Sequence, residues 1–324
     1  MKAKRRNAGV ALLSVVAIAG ITGILAYHII TMQTLTISHS ELSLSQESAL
    51  SYALGVETFV AEKLAEDGAG EAFDAFTDDW NNLEIPFEIP NGSMQLRVVD
   101  LMSKFNANSL SDPENTVAQQ SMERLCAELG FDATLAPKFQ DWVDGDTNTL
   151  PNGGEDWEYA ILDTPFRTAN QLSFDITEVS YFAPMYRDAI KELEKHITVL
   201  PTPTLAVNLN TAPATVLIAL LHDPQNAPYI EAFTEEERSF DSVQSASSIV
   251  APFTEIEEYL RVKSDYFELH VTILMGDRTR LDMTSTLYRS PFGGDVTIYK
   301  RDLARRHDWN EEGEASLDGL GIYQ

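Results

Sequence analysis

Lys2-Ala-Lys-Arg-Arg-Asn-Ala-Gly9 runs directly into Val10-Ala-Leu-Leu-Ser-Val-Val-Ala-Ile-Ala-Gly-Ile-Thr-Gly-Ile-Leu-Ala-Tyr-His-Ile-Ile-Thr-Met32. Four of the first six residues are basic, and the 23 positions from Val10 to Met32 carry no Asp, Glu, Lys or Arg. As a helix that run is roughly 35 Å long, enough to cross a hydrocarbon core of about 30 Å. The basic flank belongs on the cytoplasmic side, so the bulk of the chain is expected beyond the membrane. A secretory signal would have a shorter apolar run closed by a small-x-small site, whereas here Ala26-Tyr-His-Ile-Ile follows. Helical spacing continues through Leu35, Leu42, Leu44, Ala49, Tyr52, Val56, Phe59, Val60 and Leu64 to about Asp67, with no proline on the way.

The remaining chain is acidic and globular in composition. Its 324 residues hold 50 acidic and 23 basic side chains, a net charge of -27. Phosphates would be repelled, which excludes nucleic acid as a partner, whereas multivalent cations would be attracted. The single cysteine, Cys126, forbids an intrachain disulfide and reads as a small buried apolar side chain in a helix. The fold must then rest on its core, on metal or on partner subunits.

Alternation in Phe87-Glu-Ile-Pro90 and Met94 to Asp100, around Asn91-Gly92, predicts a hairpin, with Pro90 at a strand end. From about Ser103 to Leu260 the texture becomes helical. Helices are expected at Val117 to Leu129, Ala136 to Val143, Tyr186 to His196 and Pro213 to Leu221, with a short one at Glu255 to Leu260. Strands are expected at Tyr266 to Met275 and Thr279 to Tyr288, around Gly276-Asp277, and again at Val296 to Tyr299. The charged tail from Lys300 is expected to be loose. These elements predict an α+β fold: a long N-terminal transmembrane and amphipathic helix, an antiparallel sheet, and a large all-helical insertion between its strands.

A basic leader ending in Gly9 and an apolar helix that becomes amphipathic resemble the type IV pilin-like prepilins. The resemblance implies a pilin-like sheet, cleavage between Gly9 and Val10 by a prepilin peptidase, and methylation of the new N-terminus. Most members carry Glu at the fifth mature position; this chain has Ser14, a loss expected of a subunit at the fibre tip. Further stretches are similar to the K-type minor pseudopilins of type II secretion. They are Gly9-Val-Ala-Leu-Leu13, Phe105-Asn-Ala-Asn108, Asp141-Trp-Val-Asp-Gly-Asp146, Gly154-Glu-Asp-Trp-Glu-Tyr159, Phe166-Arg-Thr-Ala-Asn-Gln171, Asn208-Leu-Asn-Thr-Ala212 and Ser264-Asp-Tyr-Phe-Glu-Leu269. The implied division is a leader at 1–9, an N-terminal helix at 10–67 that spans the membrane at 10–32, a first part of the pilin domain at 68–102, a helical insertion at 103–260, and the rest of the pilin domain with the tail at 261–324. The implied role is non-enzymatic: a minor pseudopilin at the tip of a periplasmic pseudopilus, anchored in the inner membrane, in a heterotrimer with the I- and J-type minor pseudopilins and in contact with secreted cargo. A minor or tip subunit of a type IV pilus is the nearer alternative. A membrane-tethered periplasmic metal-dependent hydrolase is the more distant one.

Asp144-Gly-Asp146-Thr-Asn148-Thr-Leu-Pro-Asn-Gly-Gly-Glu155 has the spacing of an EF-hand loop, with oxygen ligands at positions 1, 3, 5 and 12. Thr149 replaces the turn glycine at position 6, and Leu150 would offer its carbonyl at position 7. A solvated acidic loop explains an isolated D-x-D-x-N better; Glu155 brings the two readings level, and the calcium binding of K-type members, which the resemblance implies, favours Ca2+. Asp156 is a further candidate ligand and Asp141 a weaker one. Trp142 and Trp157 are expected to pin the loop ends to the core. Asn208 to Leu221 resembles the start of a helix-hairpin-helix element, with Thr211 as N-cap and Pro213 in the first turn, but no basic cluster accompanies it. The six histidines are scattered, and no Gly-x-Ser-x-Gly or phosphate loop is present. A hydrolytic metal site would need His or a third convergent carboxylate beside an open coordination position.

Overall fold

The computed structural model describes residues 3–70, 72–83, 88–221, 223–276, 278–291, 294–307 and 309. Helix α1 spans Ala3–Gly70 without interruption. Its N-terminal half exposes apolar side chains on all sides, from Val10 through Ile37, as a segment solvated by lipid or by other helices would. Among the described residues it is the one helix long and apolar enough to cross a membrane. From Ala49 onward the pattern changes. Ala49, Ala53, Val56, Val60 and Leu64 recur every three or four residues and are fully buried as one stripe.

That stripe lies on a four-stranded antiparallel sheet of order β1-β6-β7-β8, where β1 is Gly92–Asp100, β6 is Tyr266–Met275, β7 is Thr279–Arg289 and β8 is Val296–Asp302. Alternate residues Met94, Leu96, Val98, Phe267, Leu269, Val271, Ile273, Met283 and Leu287 form the face that meets α1. Glu57 of α1 is buried among them, where it accepts a hydrogen bond from Ser285 at 2.5 Å and pairs with Arg301 of β8.

Strands β6 and β7 form where alternation predicts them, although Asp277 lies outside the described residues. The hairpin at Asn91-Gly92 does not form. Phe87 lies outside the described residues, residues 88–90 make no strand, and β1 pairs instead with β6, from Gly92 opposite Met275 to Asp100 opposite Phe267. Pro90 has no N–H to give a ladder. Asn91, at φ 56°, turns the chain so that its carbonyl accepts from Gly276 at the far end of β6. The tail is not loose throughout: β8 continues to Asp302, and Arg305, His307 and Trp309 pack back on the molecule through Glu194, His270 and Thr272.

Between β1 and β6 the chain builds a second hydrophobic core. Its helices are α2 (Thr116–Glu128), α3 (Leu135–Val143), α4 (Asp156–Tyr159), α5 (Val179–Phe182), α6 (Arg187–His196), α7 (Ala214–Leu220), α8 (Ala227–Glu235) and α9 (Val243–Ser247). The insertion is helical apart from two short parallel pairs: β2 (Phe105–Asn106) with β3 (Ile197–Thr198), and β4 (Val207–Asn208) with β5 (Leu260–Arg261). Such two-residue pairs are too short for an alternation pattern to reveal. Glu255 to Leu260 is not an α-helix: one 3₁₀ turn ends at Glu255, a second spans Glu257–Tyr259, and Leu260 opens β5. Cys126 is buried in α2, and burial pushes its thiol up to about 12.

Insert, sheet and α1 meet at one buried polar junction. Arg289, at the end of β7, is 2% exposed. Its guanidinium donates to Asp67 of α1 at 2.8 Å, to Asp74 at 2.5 and 2.6 Å, and to the Ser264 carbonyl at 2.7 Å, and it covers the Phe267 ring. Gly68 makes room for it, because a Cβ there would lie 2.7 Å from Arg289 Cδ. Beside it Asp100, at the end of β1, accepts from the Met102 N–H, the Asn208 amide, and the hydroxyls of Thr211 and Ser264. Thr211 therefore does not cap α7; Pro213 holds that position.

Candidate metal centre

Helix α3 ends at Val143 and α4 begins at Asp156, so the twelve-residue loop hangs between two helices. Oxygens of Asp144, Asp146 and Glu155 come within 4.8 Å of one another, and no histidine or cysteine joins them among the described residues. Asp144 and Glu155 are 4% and 1% exposed. Asp144 Oδ1 and Glu155 Oε1 have no hydrogen-bond partner. Burying a carboxylate oxygen without a partner costs several kcal/mol, roughly, so two such oxygens in a cluster of three carboxylates fit a cation. An all-oxygen set of this charge suits a hard ion such as Ca²⁺. The three carboxylates supply oxygen donors of the kind such an ion takes.

Other carboxylates here build the loop. Asp141 is fully buried and accepts from the N–H groups of Leu150 and Gly154. It thereby folds the middle of the loop back onto α3. The approach is close: a Cβ on Gly153 would lie 2.0 Å from Asp141 Oδ2. Asp156 accepts from the N–H and hydroxyl of Thr168, and the same hydroxyl donates to Glu155 Oε2 at 3.1 Å. Glu155 also caps α4 in a capping box with Glu158. Asn148 turns its N–H to Asp146 Oδ1 at 2.7 Å.

The crowding shows in the acidities. Burial pushes Glu155 up to about 7, opposed by the Thr168 hydrogen bond and reinforced by Asp141 and Asp144. Burial likewise raises Asp141 to about 6 against its two backbone donors, and raises Asp144 with help from Asp146.

The structure thus brings Asp144, Asp146 and Glu155 together and gives Asp156 to Thr168. Thr168 was not foreseen; its signal was its place within Phe166-Arg-Thr-Ala-Asn-Gln171. Trp142 behaves as expected, packed against Phe166, Tyr181 and Phe182 with its Nε1–H on Glu178. Trp157 does not pin the loop to the core: it is 65% exposed and reaches only Thr149. A four-residue helix has only one inward face, and Tyr159 takes it.

Removing Asp141 tests the loop's own architecture. Asp141→Ala leaves the N–H groups of Leu150 and Gly154 without acceptors, at a cost of about 1–3 kcal/mol each when buried. The melting temperature of the detergent-solubilised chain should drop by several degrees, with Asp141→Asn intermediate. An unchanged melt would mean that the loop does not depend on this carboxylate.

A model of the family described as type II secretion system (T2SS), protein K, matches residues 103–202. Type II secretion system protein K of Pectobacterium carotovorum is 26% identical over 85% of this chain and 90% of its own length. The protein of the same description from Pseudomonas aeruginosa is also 26% identical, over 93% and 94% respectively. One chain of the crystal structure of the GspK-GspI-GspJ complex from enterotoxigenic Escherichia coli superposes with a TM-score of 0.71 at 21% identity, covering 83% of this chain and all of that one. The chain is thus similar to type II secretion system protein K along nearly its whole length, and it shares the fold of the solved relative.

Proposed function

We propose that this chain is a non-catalytic minor pseudopilin that sits at the tip of the pseudopilus, anchored in the inner membrane with its sheet and insert in the periplasm. One observation carries the reading: a single continuous helix whose uncharged stretch from Val10 to Met32 exposes a mainly apolar surface and whose second half is built into a folded head. The first half packs in lipid before assembly and against other pilin helices afterwards. The insert lies between β1 and β6, at the end of the sheet where Asp100 and Arg289 lie, and such bulk is hard to stack beneath another subunit. Ser14 fits a leading position. Its hydroxyl donates to its own helix, to the Val10 carbonyl at 3.0 Å, and it presents no charge that a subunit ahead would have to neutralise.

The partners are the I- and J-type minor pseudopilins, by analogy with the complex of the E. coli relative. The soluble region from about Leu35, mixed with the corresponding regions of the two partners, should form a 1:1:1 species by light scattering at micromolar concentration. A homopolymer, or three separate monomers, would oppose the tip role.

Processing by a prepilin peptidase between Gly9 and Val10 would remove Lys2, Lys4, Arg5 and Arg6. Intact-mass analysis of membrane-extracted protein should give a chain starting at Val10, methylated, and four charges more negative than the precursor. A start near Tyr27 would instead indicate a secretory signal peptide.

Asp144, Asp146 and Glu155 would hold the ion, with Asn148 and the Leu150 carbonyl as further oxygen donors at their loop positions. The ion would neutralise carboxylates that the fold has buried and so stabilise the folded state by mass action. Added Ca²⁺ should raise the melting temperature relative to chelator, with an affinity of about 10⁻⁴–10⁻³ M as in extracellular modules. Asp144→Ala should abolish that difference. A calcium shift that survives Asp144→Ala would place the ion elsewhere.

A further inference from the structure

The face of the sheet that α1 leaves uncovered is the floor of a cleft of about 1640 Å³. Arg97 of β1, Glu268 and His270 of β6, and Thr284 and Thr286 of β7 lie on that floor. Helix α6 of the insert makes one wall, and β8 with Arg305, Arg306 and Trp309 makes the other. Pockets for small molecules hold roughly 300–1,000 Å³, so a space of this size suits a stretch of polypeptide.

The charge of the cleft departs from that of the chain. The sequence holds 50 acidic and 23 basic side chains, yet eight basic and seven acidic ones line the cleft. Arg187, Lys191 and Lys195 recur every fourth residue along α6, and all three line it. Ion pairs already set Glu192 against Lys195, Asp175 against Lys300, Glu194 against Arg305 and Glu268 against His270, so four of the seven carboxylates face a basic group. Met185, Ile190 and Val199 add apolar surface. At the rim the Phe174 and Tyr299 rings lie 6.0 Å apart, 55% and 46% exposed.

Trp309, the last described residue, stands on the second wall with its indole N–H on the Thr272 hydroxyl at 2.9 Å. The 15 residues after it, Asn310 to Gln324, include Glu311, Glu312, Glu314 and Asp318 but no lysine, arginine or histidine. Leu317, Leu320, Ile322 and Tyr323 are apolar. Fifteen residues reach at most roughly 50 Å, whereas the ten residues of α6 extend about 15 Å, so the whole cleft is within range. A chain of net charge -27 repels such a segment from most of its surface.

We propose that the acidic segment 310–324 docks in this cleft, with its carboxylates on the basic stripe of α6 and its apolar side chains against Met185, Ile190, Val199 and the Phe174–Tyr299 rim. Exposed charge pairs are individually weak. Several of them act together here with the burial of four apolar side chains, and the attachment at Trp309 holds the segment at an effective concentration on the order of millimolar. Bound in this way, the segment bridges sheet and insert and closes the cleft to acidic segments of other proteins.

The test uses the full chain in detergent, a version truncated after Trp309, and a synthetic peptide of residues 310–324. Hydrogen exchange in residues 187–199 should be severalfold slower in the full chain than in the truncated one. Adding the peptide to the truncated chain should restore the slow rates, with a dissociation constant below about 1 mM. The full chain, its cleft already occupied, should bind the peptide about tenfold more weakly. Arg187 and Lys195 are exposed, so the truncated chain carrying Arg187→Glu and Lys195→Glu should keep its melting temperature and lose about tenfold in peptide affinity. Equal exchange in the full and truncated chains, no binding at about 1 mM, or full affinity in the charge-reversed variant overturns the proposal. Exchange in residues 187–199 that slows with the soluble regions of the partner pseudopilins but not with the peptide assigns the cleft to a partner and overturns it as well.

Discussion

Arg289 holds the molecule together. A guanidinium at 2% exposure, with Asp67 and Asp74 as its charge partners, is far more expensive to leave unpaired than a surface ion pair; breaking such a buried pair typically costs about 3–5 kcal/mol. The cost is spread across elements remote in sequence: α1, the segment after it, the end of β7 and, through Ser264, the entry to β6. Asp100 adds the end of β1 and the Asn208 to Thr211 turn of the insert. Two hydrophobic cores that share no buried side chain are thus joined through these hydrogen bonds and through a small apolar cluster of Leu101, Met102, Leu200 and Ala206 against Tyr266. The fork geometry of arginine suits this role, since one planar group meets two carboxylates and a carbonyl at once.

That arrangement bears on how the chain works. From Val10 to Met32 α1 carries no charged side chain, so this stretch makes no ion pair with the head. Orientation is set further along, where the helix enters the head and Glu57, Asp67 and Gly68 lock against Ser285, Arg301 and Arg289. The insert, seated on the same junction, takes its direction from the helix. The acidic loop lies elsewhere in the insert, held by α3, α4 and Thr168.

Much of the fold was legible in the residues. The boundaries of β6 and β7, α2, α3 and α6 follow from periodicity, because long regular elements repeat their burial pattern many times. The misreadings have physical causes. The Asn91 turn looks like a hairpin because Asn-Gly with flanking alternation is a local signal, whereas the partner of β1 is supplied by a strand on the other side of the insert. Trp157 looks like an anchor because large aromatics usually bury, but a four-residue helix buries only Tyr159. The stretches that carry the family resemblance prove to be polar joints. Asn106 and Asn108 bond the backbone of residues 173 and 200–204. Asn208 and Ser264 build the junction, and Thr168 braces the acidic loop. Their spacing in the chain does not reveal what they join.

The sequence by itself determined the long apolar helix, the strand pair after the insert, the acidic loop and the lack of an intrachain disulfide. These are properties of local composition and period, and a window of a few residues contains all the physics that they need. Only the tertiary structure decided that Asp144, Asp146 and Glu155 converge while Asp156 turns to Thr168, and that Asp67, Asp74, Asp100 and Arg289 share one buried site. A carboxylate's role depends on which charges and N–H groups surround it after burial, and those come from segments up to 222 residues apart. In a chain with 50 acidic residues, only that burial separates the few that bind from the many that merely face water.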